Sequence, residues 1–154
     1  MKTPKPAITI IVGFIAGLVI SGVLGDIIVA LNNAAGRITS AWSVSRAEKY
    51  VSGGDFYKAE KEYENALKKI NPDNKKLIAK VKNNMALSVF AQAANDKNSD
   101  RIKESIAIFS QSLDLYKELN DSESIKQVET NIEQARKVLQ SLEGDISENN
   151  IVER

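Results

Sequence analysis

From Ala7 to Gly25 the chain runs nineteen residues without a charge, and after Asp26 the apolar character resumes as IIVAL. A hydrocarbon core about 30 Å thick takes roughly 20 helical residues to cross. The stretch is long enough to span a bilayer, which limits what the remainder can be. A basic lead, MKTPKP (1–6), precedes it and carries Lys2 and Lys5. Three readings fit: a retained transmembrane helix over 7–31, a cleaved signal peptide, or a buried helix of a water-soluble core. The first is preferred. The apolar stretch exceeds the roughly 7–15 residues of a signal-peptide core, and no A-x-A-type cleavage site follows it. Core helices are usually shorter than this.

Small residues recur along the segment. Gly13, Gly17, Ser21 and Gly25 fall every fourth position, on one face of a helix, with Gly22 beside them. In lipid, helices associate through close backbone approach, which small residues permit. The stripe therefore reads as a docking face for another transmembrane helix, either of a membrane complex or of a second copy in a homodimer. A neighbouring stripe, Gly22, Asp26, Ala30 and Ala34, places a carboxylate where lipid would be costly, so Asp26 is expected to meet a partner, a polar cavity or the interface. Lys2 and Lys5 on one flank and Arg37, Arg46 and Lys49 on the other give almost no charge bias. The short basic lead before the anchor favours an inside N-terminus and an extracytoplasmic domain.

The chain has no Cys and no His. Disulfides, thiolate catalysis and the commonest metal ligand and general base are thereby excluded. With Lys2, Lys5 and Asp26 set aside, 19 basic and 19 acidic residues remain. A neutral domain has no electrostatic reason to hold a phosphate backbone, so no nucleic-acid partner is expected. No phosphate loop, dinucleotide fingerprint or metal-spaced cluster appears, and neither a catalytic residue nor a cofactor is expected. Glu60, Glu62 and Glu64 stand among Lys58, Lys61, Lys68 and Lys69, as on a solvated helix face with i,i+4 pairs.

After an interfacial linker or helix continuation at 32–39, residues 40–143 read as an all-α domain. Clusters of turn and cap residues at SGGD (52–55), NPDN (71–74), NDKNSD (95–100), NDSES (120–124) and EGD (143–145) divide it into about five helices. These span roughly 37–52, 55–70, 74–95, 99–120 and 122–143, with antiparallel neighbours because the links are short. Trp42 fits either a headgroup-level position or a core position. Residues 144–154 read as a frayed acidic tail.

AEKYVSGGDFYKAEKEYENALKKINP (47–72) resembles the tetratricopeptide repeat, with its roles on Ala47, Tyr50, Gly54, Asp55, Phe56, Ala59, Tyr63, Ala66, Leu67 and Pro72. Pro72 stands one residue later than the repeat pattern places it. A looser second unit puts Asn84, Ala86 and Val89 on its first helix and Ser105, Phe109, Ser112 and Leu113 on its second. It exceeds the repeat norm of about 34 residues by roughly two helical turns. Residues 124–142 suit a closing helix with a polar outer face. The resemblance implies a helical solenoid whose concave groove holds other proteins, with Val44, Glu48, Asn83, Asn84 and Leu87 as candidate groove residues. Some family members clamp a C-terminal carboxylate with Lys and Asn; Val44 and Glu48 occupy those positions here, so that clamp is broken. The expectation is a non-enzymatic, single-pass membrane scaffold, an accessory subunit or assembly factor of a membrane complex. A secreted or tethered adaptor for free peptides is the alternative.

Overall fold

The computed structural model describes residues 23–152. Its elements are α1 (Val23–Ser52), α2 (Phe56–Leu67), α3 (Lys75–Asn95), α4 (Ser99–Glu118) and α5 (Ser122–Val152), and there is no strand among the described residues.

Three of the four links use one device. Gly54, Lys97 and Asn120 adopt positive φ, at 75°, 52° and 54°. The next residue turns the chain back: the N–H of Asp55, Asn98 and Asp121 donates to the carbonyl of Tyr50, Ala93 and Tyr116 at 2.9, 2.8 and 3.1 Å. This is the left-handed helix stop that satisfies the last carbonyls. That same residue then caps the following helix. Asp55, Asn98 and Asp121 accept from the N–H of Lys58, Arg101 and Ser124 at 3.1, 3.1 and 3.2 Å. Stop and start are thus packed into two residues, and consecutive helices must fold back on one another. The fourth link contains Pro72, which cannot prolong α2, and ends at Asn74, whose side chain accepts from Leu77 N–H at 3.2 Å.

Each helix packs chiefly on the next in sequence, and α3 also touches α5. Small residues set the spacing. Ala47, Ala59 and Ala66, all fully buried, gather with Tyr63, Ile70 and Val81 between α1, α2 and α3. Ala79 and Ala86 meet Phe109, Tyr116, Val128 and Ile132 between α3, α4 and α5. Ser112 Oγ donates to the Ala79 carbonyl at 2.7 Å, so α4 lies close against the backbone of α3. Gly36 plays a similar part on α1, where a Cβ would come within 3.0 Å of the Lys69 carbonyl oxygen.

α1 is one continuous helix, so 32–39 is the helix continuation and not the linker. Several other expectations need correcting. α2 ends at Leu67, because Lys69 and Ile70 both donate to the Ala66 carbonyl, at 2.9 and 3.1 Å, and tighten its last turn. α5 continues to Val152, through residues read as a tail. Trp42 is 71% exposed, which excludes the core position. Gly13, Gly17, Ser21 and Gly22 lie outside the described residues, as does most of the 7–31 segment; Gly25 and Asp26 belong to α1. Among the described residues no helix is long and apolar enough to cross a membrane.

The carboxylate cluster on α2 is not uniformly solvated. Glu62 pairs with Arg46 at 2.9 Å and Glu64 with Lys61 at 3.5 Å, but Glu60 is 5% exposed and pairs with Arg101 of α4 at 2.6 Å. Burial works against the charge on Arg101, but hydrogen bonds to Glu60 and Glu104 outweigh it and hold its pKa above the usual value. Removing the cation leaves a carboxylate stranded. Arg101→Met is expected to lower stability in urea unfolding by roughly 2–3 kcal/mol, less than a fully buried pair would because Arg101 is partly solvated, and adding Glu60→Gln should recover part of the loss.

Asp55 and Asp121 are held below the ordinary carboxylate pKa. For Asp55 the first cause is the hydrogen bond from the Lys58 side chain, followed by the Lys58 N–H; for Asp121 it is the Ser124 N–H. A depressed folded pKa means their stabilisation is fully present above the unfolded value of 3.8 and is lost as pH falls through the lower folded value. Thermal midpoints should therefore hold steady down to that range and drop below it. An Asp55→Asn, Asp121→Asn double variant should show a shallower acid dependence in the same melting series.

Candidate protein-binding groove

α1 and α3 run alongside each other on either side of α2, yet they barely touch. What separates them is Tyr63. Ala59 and Ala66, one turn either side of it, bring the α2 backbone close to its neighbours, and the Tyr63 ring, 2% exposed, sits beneath the gap. Above it opens a cavity of about 550 Å³. α1 contributes Glu48, Val51 and Ser52 to its wall, α2 contributes Phe56 and Tyr63, and α3 contributes Asn84, Leu87, Ser88, Phe90 and Ala91. The α3 residues lie at helical spacing, so one stripe of α3 faces the opening.

The turn chemistry places Phe56. Gly54 ends α1 in the left-handed region, Asp55 caps α2, and Phe56 becomes the first residue of α2 at the edge of the groove. Tyr63 keeps its proton beyond the ordinary phenol range. Burial is the main cause and the charge of Glu48 adds to it, while a hydrogen bond with the Asn84 side chain works the other way. Among the lining residues Glu48 is the one formal charge, and no Lys or Arg is present. The walls therefore suit an apolar side chain and give a free carboxylate no cation to meet.

Of the candidate groove residues, Glu48, Asn84 and Leu87 line this cavity. Val44 does not: it is partly buried against the Ala47–Tyr63 cluster between α1 and α2. Asn83 turns away, 6% exposed, and its Oδ1 accepts from Asn131 Nδ2 of α5 at 3.1 Å. That bond helps hold α3 to α5, so the cleft on that side is a different one. It measures about 420 Å³, is lined by Lys76, Lys80, Asp121 and Glu123 among others, and has the Lys76–Asp121 pair at 3.5 Å across it. Val51, Phe56, Tyr63 and Phe90 complete the apolar wall. The α3 side of this wall carries a signal in the sequence, the i, i+3, i+4, i+7 series of Asn84, Leu87, Ser88 and Ala91 with Phe90 next to it; Val51, Phe56 and Tyr63 join it only through the packing of α1 and α2.

The residues read as a repeat signature occupy the sites their sizes suit. Ala47, Ala59, Tyr63 and Ala66 are buried together, Tyr50 and Leu67 pack at the margin, Gly54 and Asp55 form the turn, and Pro72 lies in the exposed link before α3. In the second unit Ala86, Val89, Ser105, Phe109 and Ser112 are buried. The groove has no cluster of titratable groups converging on a reacting centre, and among the described residues no three His, Cys, Asp or Glu side chains gather to hold a metal ion. No protein-family model, no curated protein and no solved structure matches this chain.

Proposed function

We propose that the protein is a membrane-anchored, non-enzymatic scaffold of tetratricopeptide-like build, an accessory subunit or assembly factor that holds a protein partner in the groove between α1 and α3. One observation carries this: a sizeable apolar cavity stands open between two helices, walled by Leu87, Phe90, Phe56 and Tyr63, with a single charge at its side. Concave apolar sites of this volume, with a few polar groups to orient the occupant, are where proteins take ligands and partner segments. The anchor is the uncharged run within 7–31, whose length suits a bilayer. Gly13, Gly17, Ser21 and Gly25 then provide its packing face toward other transmembrane helices.

The test is co-purification in mild detergent, read by native-gel mass, with wild type, Gly17→Ile and Leu87→Glu compared. Leu87 is 39% exposed, so a carboxylate there is tolerated by the fold and obstructs only the groove. Wild type should carry stoichiometric partner subunits, and Leu87→Glu should lose them while melting at nearly the same temperature. Partners unaffected by Leu87→Glu, or a chain that leaves the membrane fraction on alkaline washing, would contradict the proposal.

A further inference from the structure

A second face of α1 is left uncovered. Leu31, Ile38 and Trp42 are 64%, 56% and 71% exposed. Their spacing of seven and four puts them on one stripe of the helix, with exposed Ala35 between them. The buried Ser40, Ser43 and Ala47 lie on the opposite side, against α2. In sequence, Leu24 and Ile28 continue the series, so positions 24, 28, 31, 35, 38 and 42 alternate steps of four and three. A sustained alternation of that kind is the narrow seam of a helix pair; a helix lying on lipid carries a wider apolar arc. Between 27 and 45 Arg37 is the sole charge, and it falls off the seam. Over that stretch two copies side by side would bring no like charges together. The seam closes at Ser45 and Lys49.

We propose that α1 pairs in parallel with α1 of a second copy along this seam. The three large side chains offer roughly 400 Å² per copy, about half of what a free-standing interface buries on each partner. The shortfall is met by tethering, a step that rests on the membrane-anchored reading above. The anchor, whose last turns share Leu24, Ile28 and Leu31 with the seam, holds both copies in one membrane, with one orientation and at high effective concentration. The groove between α1 and α3 lies on another side of α1, so each copy in the pair keeps its groove open.

The chain has no cysteine, which makes the test direct. Single Cys substitutions from Leu31 to Ser45, in the full chain reconstituted into phosphatidylcholine vesicles, are oxidised and scored for disulfide-linked dimer on non-reducing gels. Dimer should peak at Leu31, Ala35, Ile38 and Trp42 and fall to a minimum at Arg37, Ser40 and Ser43, following a period of about 3.5 residues. Uniformly weak cross-linking, or peaks without that period, would overturn the pairing. As a check that needs no cross-linker, Ile38→Glu with Trp42→Glu should lower energy transfer between donor- and acceptor-labelled copies in the same vesicles to that of randomly distributed copies, with unchanged helicity; undiminished transfer would overturn the pairing too. A chain retained in the membrane without periodic cross-linking defeats the pairing alone. A chain absent from the membrane fraction defeats both the pairing and the anchored reading.

Discussion

The contact between Tyr63 and the small residues around it governs the arrangement of the first three helices. Alanine at 47, 59 and 66 lets the backbones of α1 and α2 approach closely, and Gly36 extends that closeness to the Lys69 carbonyl. A ring the size of Tyr63 cannot sit between backbones so near, so it fills the space under α1 and α3 and leaves the opening above it. Burying such a ring contributes on the order of 2–3 kcal/mol. The same side chain therefore stabilises the fold and forms the floor of the groove.

The second half of the domain is built differently, and the contrast explains why its cleft is polar. Between α3 and α5 the Asn131–Asn83 hydrogen bond joins the two helices directly. Asn83 is buried and needs that partner, since an unpaired amide there would cost about 1–3 kcal/mol. With α3 and α5 joined, the remaining space is lined by Lys76, Asp121 and their neighbours, which partly satisfy one another. The apolar groove and the polar cleft share Asn84, so α3 presents one face to each.

Much of this was legible in the sequence because the turns are written in local chemistry. Asp55, Asn74, Asn98 and Asp121 are cap residues by type, and each starts a helix. The left-handed position before three of them is readable at Gly54 and Asn120, but not at Lys97, where nothing in a lysine announces positive φ. The run NNAAG at 32–36 left linker and helix continuation both open for a related reason. Its Gly36 serves close approach to Lys69 and not helix termination, a distinction that depends on a residue thirty-three positions away. Glu60 looked like its neighbours Glu62 and Glu64, and only its partner on α4 sets it apart. Val44 faced the core for the same reason: which side of α1 is covered depends on where α2 returns.

The central claim is that the side of α3 carrying Leu87 is the surface another protein occupies. A photo-crosslinking amino acid placed at Leu87 in the full chain, with the same group at the exposed Gln140 of α5 as comparison, asks this in intact membranes. The account predicts one discrete heavier adduct from position 87 and none of that mass from position 140. Equal labelling from the two positions, or none from 87, would contradict it.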